Sequence, residues 1–264
     1  MPLSSHIYDR DYFLSDRCEG FDRFREGHGL SPLKAAQVRA LAPRPGIRVL
    51  DAGCGRGEVL LACARAGAQV AGIDYADAAL EIAREVLADV PDADLRTGEV
   101  TALPWADESF DRVLFADVIE HLEPAEGVAA LAELRRVLRP GGSLLVHTAP
   151  NRLFLRLTWP LARRALRATG RAEAALRLEE WIEASHAYHL NEQSLYSLRR
   201  GLRAAGFEDP RVWIHPDVLR SGEHHLTRDL AGGAALRLVE RLARARPLRA
   251  VLGNDIYALT VKHG

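Results

Sequence analysis

Two acidic residues bracket a glycine-rich turn in the first third of the chain. Asp51 stands just before Gly53, Gly55 and Gly57, and Asp74 ends a second apolar segment further along. Glycines let the backbone approach a ligand closely and adopt turn conformations that a Cβ would penalise. A carboxylate at the end of a second strand can accept hydrogen bonds from both hydroxyls of a ribose. The types and spacing of these residues therefore predict a nucleotide site.

The spacing of the glycines also narrows the chemistry of the ligand. The dinucleotide pattern G-x-G-x-x-G requires a third glycine where Glu58 stands, which disfavours hydride-transfer cofactors. No G-K-[ST] follows the turn, and the carboxylate of Asp51 would repel a pyrophosphate. We therefore expect a cationic ligand in preference to a polyanionic one.

A second set of chemistry-bearing side chains lies in the segment from Asp117 to His121. It follows a predicted strand, at the carboxyl edge of the sheet where such folds bind ligands. If the segment is helical, Asp117, Glu120 and His121 stand at i, i+3 and i+4 and share one face. That face could bind a divalent ion, or His121 could deprotonate a hydroxyl group.

Two further histidines, His186 and His189, precede a helix predicted to begin at Glu192. They could complete a metal site with the acidic turn, or they could line a substrate pocket. We favour the second interpretation, in which His121 packs into or caps its turn without a metal. Under this interpretation His121 remains a candidate general base.

Strand and helix patterns alternate through the chain that must position these residues. We predict strands at 47–51, 69–74, 94–97, 112–116, 143–148, 211–214 and 255–261, and helices at 32–41, 58–66, 76–87, 128–138 and 192–205. This alternation requires parallel strands with helices on both faces of the sheet. The sequence therefore predicts an α/β, Rossmann-like, doubly wound and mostly parallel sheet of seven strands.

Four segments follow from the same patterns. We expect residues 1–45 to form a helical cap over the cleft, 46–150 the cofactor-binding core, 151–190 a helical insertion and lid, and 191–264 the completion of the sheet. The insertion is an Arg-rich amphipathic stretch. It could bind RNA, a membrane surface or an anionic substrate, or its charged face could simply be solvated.

Composition limits the class of protein. The 264 residues are 48% hydrophobic and 27% charged, as in a globular enzyme with a substantial core. A net charge of −1 gives no general attraction to nucleic acid. Three cysteines do not suit a disulfide framework, and we recognise neither a signal segment nor a membrane span. We expect a cytoplasmic protein.

Between roughly residues 46 and 150 the chain resembles the class I S-adenosylmethionine-dependent methyltransferases, in particular the small-molecule group that includes the ubiquinone and menaquinone biosynthesis enzymes. The motifs that carry the resemblance are Val49 to Gly57, Gly72-Ile73-Asp74, Gly98-Glu99-Val100 with Leu103-Pro104-Trp105, Phe110 to Phe115 with Asp117, and Leu138 to Gly142. Glu99 stands where the commoner residue is Asp. The resemblance implies an SN2 transfer of a methyl group from a sulfonium to a nucleophile.

The resemblance also implies roles for individual residues. Asp51 would hold the cofactor's ammonium, Gly53 and Gly55 would pass beneath its methionine portion, and Asp74 would hold the ribose. The full set of expected cofactor-binding residues is Asp51, Gly53, Gly55, Asp74, Tyr75, Glu99, Val100 and Ala116. The expected catalytic residues are His121 and Asp117, and the expected substrate-pocket residues are His186, His189 and Tyr12.

The acidic turn further resembles the E-x-x-E-H turn of metal-dependent RNA 2′-O-methyltransferases and of metal-using ubiquinone O-methyltransferases. If a divalent metal is present, its ligands would be Asp117, Glu120, His121 and His189; the shorter Asp117 in the first position disfavours it. We expect a small-molecule or lipid-precursor acceptor, methylated on oxygen, with a peripheral membrane or lipid-linked substrate left open. The alternatives are an RNA 2′-O-methyltransferase and a non-catalytic scaffold. The sequence leaves the oligomeric state open.

Overall fold

The structure, a computed structural model, describes residues 8–15, 17–186, 188–215 and 246–264. Its strands are β1 (Arg48–Ala52), β2 (Gln69–Asp74), β3 (Asp94–Thr97), β4 (Phe110–Ala116), β5 (Leu138–Thr148), β6 (Arg211–Ile214) and β7 (Ile256–Val261). They form one seven-stranded sheet in the order β3-β2-β1-β4-β5-β7-β6. The predicted α/β sheet is confirmed.

The strand order creates a crevice at one edge of the sheet. β1 pairs in parallel with β2 on one side and with β4 on the other, while β7 runs antiparallel to both β5 and β6. From β1 the chain continues to β2 and β3 on one side of β1, and it then crosses to β4 on the opposite side of β1. The carboxyl ends of β1 and β4 therefore border a topological switch point, where open α/β sheets bind ligands.

Helices connect and cover the strands. They are α1 (Arg10–Phe13), α2 (Phe21–Arg25), α3 (Pro32–Leu41), α4 (Glu58–Arg65), α5 (Asp77–Val86), α6 (Pro124–Val137), α7 (Trp159–Ala168), α8 (Ala172–His186), α9 (Leu195–Ala204) and α10 (Arg246–Leu252), with a 3-10 turn at Ile119–His121 and a π-helical turn at Phe154–Thr158. No helix within the described ranges is long and apolar enough to span a bilayer.

Two apolar layers sandwich the sheet. Val49 and Leu50 are neighbours in β1 and both are fully buried, yet Val49 packs with α3 and α4 while Leu50 packs with α6 and α9. Successive strand residues point to opposite faces, so both faces of β1 are covered. This burial on both sides explains why the strand appears in the sequence as an apolar run without alternation.

Several boundaries differ from the sequence-based expectation for local reasons. α6 was expected to begin at residue 128 but begins at Pro124, because Glu123 and Glu126 form a capping box and proline suits the first helical position. α9 was expected to begin at residue 192 but begins at Leu195, because the Ser194 side chain caps the backbone N–H of Ser197. β5 begins at Leu138, earlier than expected.

The segment expected to form the cap contains α1 to α3, and the segment expected to form the insertion contains α7 and α8. Phe13 and Tyr8 of the cap pack with Ala79 and Ile82 of α5, at the edge of the crevice. The insertion has a small apolar cluster of its own, centred on Trp159. Whether either segment acts as a lid stays a prediction.

Candidate functional site

The glycine turn between β1 and α4 is held in a conformation that glycine favours. Gly53, Gly55 and Gly57 have φ angles of 84°, 50° and 76°, in the left-handed region that a Cβ disfavours. The backbone N–H groups of Gly53 and Cys54 donate to the carbonyl of Ile73 at 2.8 and 3.0 Å. The turn is thereby fixed to the end of β2.

The carboxylate of Asp74 ties the same turn to the start of α5. Its Oδ2 accepts the N–H of Gly55 and its Oδ1 accepts the N–H of Ala76, both at 3.0 Å. Burial raises the pKa of Asp74 to about 6, against the opposing effect of these N–H donors. Because a carboxylate oxygen accepts more than one hydrogen bond, both oxygens retain capacity for the hydroxyls of a ribose.

Asp51, at the end of β1, is a buried carboxyl group that would be stabilised by a cation. Burial raises the pKa of Asp51 to about 8; Lys34 partly offsets this shift, while the nearby carboxylates of Asp74 and Glu58 add to it. A positively charged ligand would favour the ionised form of Asp51. The observation fits the cationic ligand that the sequence predicts.

The other residues expected to bind the cofactor lie along the same edge of the sheet. Tyr75 follows β2 and is half-buried, Val100 follows β3 and is buried, and Ala116 ends β4. Glu99 is exposed and accepts a hydrogen bond from Thr101 at 3.3 Å. All of them follow or end parallel strands, so the topology places them at the carboxyl edge of the sheet.

The acidic turn after β4 differs from the expected helical face. Asp117 lies outside the 3-10 turn, which begins at Ile119, and adopts a left-handed backbone with φ of 55°. The expectation that Asp117, Glu120 and His121 share one helical face is therefore wrong. Asp117 precedes the turn that holds Glu120 and His121 and does not continue it.

His121 is fixed through one ring nitrogen. Its Nδ1 lies 3.0 Å from the hydroxyl of Tyr8 and 3.1 Å from the backbone carbonyl of Tyr188. Since a carbonyl only accepts, Nδ1 must carry the proton, which leaves the lone pair on Nε2. Burial lowers the pKa of His121, against the effects of the Tyr188 carbonyl and of Asp117. The lowered pKa favours the neutral imidazole.

Tyrosines of the cap surround this imidazole. The ring of Tyr8 lies 4.8 Å from that of Tyr12, 5.6 Å from that of Tyr75 and 5.8 Å from that of His121, between centroids. Burial is the main cause that raises the pKa of Tyr8 and of Tyr12 well above 10, so both remain hydroxyl donors. Tyr12 was expected in the pocket; the part played by Tyr8 was missed, and its only sequence signal was the aromatic-rich cap.

Comparison with known proteins identifies the family. The sequence profile described as a methyltransferase domain matches residues 50–146. The demethylmenaquinone methyltransferase of Clavibacter sepedonicus is 31% identical over 213 residues, which cover 75% of this chain and 84% of that protein. This chain belongs to the class I S-adenosylmethionine-dependent methyltransferases. The resemblance inferred from the motifs is confirmed.

Other similarities cover less of the relatives or lie only in the fold. The ubiquinone biosynthesis O-methyltransferase of Paracidovorax citrulli is 39% identical over 129 residues, which cover 47% of this chain and 53% of that protein. The chain thus matches about half the length of that enzyme. A phosphoethanolamine N-methyltransferase of Haemonchus contortus, solved with S-adenosyl-L-methionine, shares the fold with a TM-score of 0.60 at 17% identity, covering 99% of this chain and 58% of that one.

In this methyltransferase, Glu120, His121 and His189 offer a donor set that suits a divalent metal. One ligand atom of each lies within 4.8 Å of those of the others, and Asp117 is not in this group. Glu120 is buried, accepts the hydroxyl of Thr148 at 2.9 Å, and has its pKa raised to about 8 by burial and then by Asp117. A carboxylate with two imidazoles is a common transition-metal set. The side chain of His186 lies outside the described residues.

A histidine that the sequence reasoning missed lies directly behind the methyltransferase cleft. His147 of β5 is fully buried, with Nδ1 at 2.8 Å from Asp117 and Nε2 at 3.1 Å from Asp255. The sequence offered little indication of this role, because His147 is a single histidine that follows the apolar residues Leu144 to Val146. The carboxylate expected to serve catalysis thus has a buried imidazole as a partner.

Arg56, within the glycine turn, connects the cap to the cofactor side of the cleft. Its buried guanidinium donates to the carbonyls of Phe13 and Glu19 at 2.8 and 2.6 Å and to the carboxylate of Glu58 at 2.9 Å. Lys34 of α3 pairs with the same carboxylate. No sequence pattern indicates this role, because the role depends on carbonyl groups of a distant segment.

Proposed function

We propose that this protein transfers a methyl group from S-adenosylmethionine to a hydroxyl oxygen of a small-molecule or lipid-precursor acceptor. The observation that carries the proposal is the state of His121. Burial favours the neutral ring, Nδ1 contacts the hydroxyl of Tyr8 and the carbonyl of Tyr188, and donation from Nδ1 to that carbonyl would leave the lone pair on Nε2. A fixed neutral imidazole at the crevice of a methyltransferase suits removal of a proton from a hydroxyl.

The residues along the sheet edge fit the cofactor. Asp51 would pair with its ammonium, the backbone of Gly53 and Gly55 would lie against its methionine portion, and Asp74 would accept the ribose hydroxyls. Glu99 and the backbone of Val100 would contact the adenine, with Tyr75 and Ala116 nearby. When bound, S-adenosylmethionine supplies an electrophilic methyl group on a sulfonium. The protein's main contribution is to align the two reactants.

The acceptor would meet His121 and the tyrosines on the other side of the crevice. Nε2 of His121 would take the hydroxyl proton as the acceptor oxygen attacks the methyl carbon, and the pair of electrons of the broken carbon–sulfur bond would stay on sulfur. The proton would then leave His121 for solvent. Tyr8 and Tyr12 present ring faces and edges, which favour a planar aromatic acceptor. His189, half-buried and 4.9 Å from the ring of His121, would line this pocket.

The relatives support the class of acceptor. One similar protein is named a ubiquinone biosynthesis O-methyltransferase, and another is named a demethylmenaquinone methyltransferase. The insertion adds exposed Leu157, Leu161 and Leu176 among arginines, a composition that suits an acceptor with a lipid tail near an anionic surface. We therefore extend the proposal to a lipid-linked or peripheral-membrane substrate.

The acceptor can be found with labelled cofactor and a fractionated extract of the protein's own host. We expect radioactive methyl groups in a fraction that organic solvent extracts, and no label when the His121→Ala variant replaces the parent protein. Label in the RNA fraction would favour the RNA 2′-O-methyltransferase alternative. Cofactor binding without labelling of any fraction would favour the scaffold alternative.

A further inference from the structure

An imidazole between two carboxylates lies behind the acceptor side of the cleft. His147 of β5 has Nδ1 at 2.8 Å from Asp117 Oδ1 and Nε2 at 3.1 Å from Asp255 Oδ1. Asp117 follows β4, and Asp255 immediately precedes β7. The three residues therefore form a row, Asp117–His147–Asp255, that connects the neighbouring strands β4, β5 and β7. The Asp117 end of this row reaches the crevice.

The row is fixed at its buried end. His147 is fully buried and Asp255 is 4% exposed. The ring of His147 also packs 4.6 Å from that of Tyr257, which stacks at 5.6 Å on Trp213. Packing and a hydrogen bond at Nε2 leave the imidazole little freedom to rotate. Its Nδ1 consequently has a fixed position at the end of β4.

Both ring nitrogens of His147 lie close to a carboxylate oxygen, at 2.8 and 3.1 Å, and an ionised carboxylate only accepts, so a ring protonated on both nitrogens suits this position. Burial alone would lower the pKa of His147, but Asp117 and then Asp255 raise it to about 10. Buried charged groups are costly to keep, and the preceding strand residues Leu144, Leu145 and Val146 are apolar. Packing of the strand does not by itself call for a histidine here.

Asp117 is the member of the row that reaches the cleft. Its side chain is 40% exposed, whereas that of His147 is fully buried. Its backbone is left-handed, with φ of 55°, and its N–H donates to the carbonyl of His147 at 3.1 Å. Non-glycine residues adopt this conformation uncommonly, although Asp tolerates it better than most, and such residues cluster at functional sites. His147 thus binds both the backbone and one carboxylate oxygen of Asp117.

We propose that His147, held by Asp255, is a positioning residue that fixes the carboxylate of Asp117 at the cleft, where Asp117 accepts a hydrogen bond from the methyl acceptor and orients it toward His121. The inference rests on the proposed function, because the molecule that donates a hydrogen bond to Asp117 is the methyl acceptor. The charged and titratable groups around Asp117 are His147, Glu120, His121 and Tyr12. None of the cofactor-binding residues belongs to the row.

A double-mutant cycle on Asp117 and His147 tests the proposal, with a prenylated catechol as the acceptor probe. We expect Asp117→Asn and His147→Gln each to lower kcat/KM for the probe by about 10- to 100-fold, the range for losing a charged hydrogen bond. The double variant should be no worse than the single ones, because both changes remove the same contact. The Kd of S-adenosylmethionine, measured by calorimetry, should stay at the parent value.

A matched control comes from the strand that pairs with β5. Thr260 of β7 is buried, pairs with Leu144, and its hydroxyl has no hydrogen-bond partner within the described ranges. Thr260→Val should therefore leave kcat/KM unchanged. Additive effects of Asp117→Asn and His147→Gln, an equal loss in Thr260→Val, or a loss of cofactor affinity in His147→Gln would each contradict the positioning role.

A second measurement separates this inference from the proposed function. In ¹⁵N-histidine NMR spectra at neutral pH, we expect one ring with both N–H protons protected from solvent, absent in His147→Gln and altered in Asp255→Asn and in Asp117→Asn. Absence of that signal in the parent overturns the row of hydrogen bonds. Failure of the parent to bind S-adenosylmethionine overturns the proposed function and with it the role of Asp117 toward the acceptor, whereas the NMR result separately decides whether His147 holds Asp117.

Discussion

The two sides of the crevice are built in different ways. The glycine turn and the ribose acid of the cofactor side lie close together in the chain, from Asp51 to Ala76, and backbone N–H groups of the turn and of Ala76 donate to the carbonyl of Ile73 and the carboxylate of Asp74. The acceptor side brings Tyr8, His121 and Tyr188 together across separations of 113 and 67 residues. A local motif can be read from sequence, whereas a site assembled from distant segments depends on the whole fold.

The electrostatics of the two sides differ as well. Burial raises the pKa of Asp51 to about 8 and that of Asp74 to about 6, which prepares the cofactor side for a cation and hydroxyl donors. On the acceptor side, burial lowers the pKa of His121 and raises that of Tyr8, which keeps both groups neutral. One side is prepared to bind charge and the other to move a proton.

The largest expected effect concerns the acceptor side. His121→Ala should lower turnover by about two to four orders of magnitude, the usual contribution of a general base. The cofactor Kd should not change, because His121 belongs to the acceptor side only. Because burial lowers the pKa of His121 below its ordinary value of 6.5, the parent's rate should fall as pH drops through that lowered pKa. Tyr196→Phe, at an exposed ring on α9, is the control.

A chelator distinguishes the two interpretations of the acceptor side. If His121 is a metal-free base, turnover of the parent should be unchanged by a chelator of divalent ions. Activity that disappears with the chelator and returns with magnesium or manganese would instead assign Glu120, His121 and His189 to a metal. Unchanged turnover in His121→Ala would leave alignment of the reactants as the source of catalysis.

The next effect concerns the backbone of the cofactor side. Gly53→Ala should weaken cofactor binding by more than about tenfold, since it places a Cβ 2.3 Å from Val118 and forces φ of 84° on alanine. Gly141→Ala is the matched control: φ is 77° there, but nothing lies within 4 Å of the added Cβ. Equal affinity in both variants, measured by calorimetry, would show that the turn tolerates a side chain.

A smaller effect concerns the charge of Asp51. Its pKa of about 8 in the free protein means that its proton must leave when an ammonium group binds. Cofactor affinity should therefore rise as pH increases toward 8, by up to about tenfold per pH unit. Calorimetry in buffers of different ionisation enthalpy should show this proton release. Asp51→Asn should abolish it; a pH-independent affinity in the parent would place the ammonium elsewhere.

How much could be predicted from the sequence follows the same division. The strands and the glycine turn are predictable because buried parallel strands are apolar runs and the turn is a consecutive motif. The 3-10 turn after Asp117 could not be predicted, because residue spacing of i, i+3 and i+4 does not reveal that a left-handed residue precedes the turn. The contacts of His147 with Asp117 and Asp255 could not be predicted either. They depend on the register between strands that are distant in the sequence.

The central claim is that the glycine turn and its two acids bind S-adenosylmethionine through the ribose and the ammonium. Calorimetry of the cofactor against the parent protein and against Asp74→Ala tests it most directly. We expect a micromolar Kd for the parent, about −8 kcal/mol, and loss of most of that affinity in Asp74→Ala, which removes the acceptor of both ribose hydroxyls. No binding to the parent at about millimolar cofactor, or equal binding to Asp74→Ala, would contradict the account.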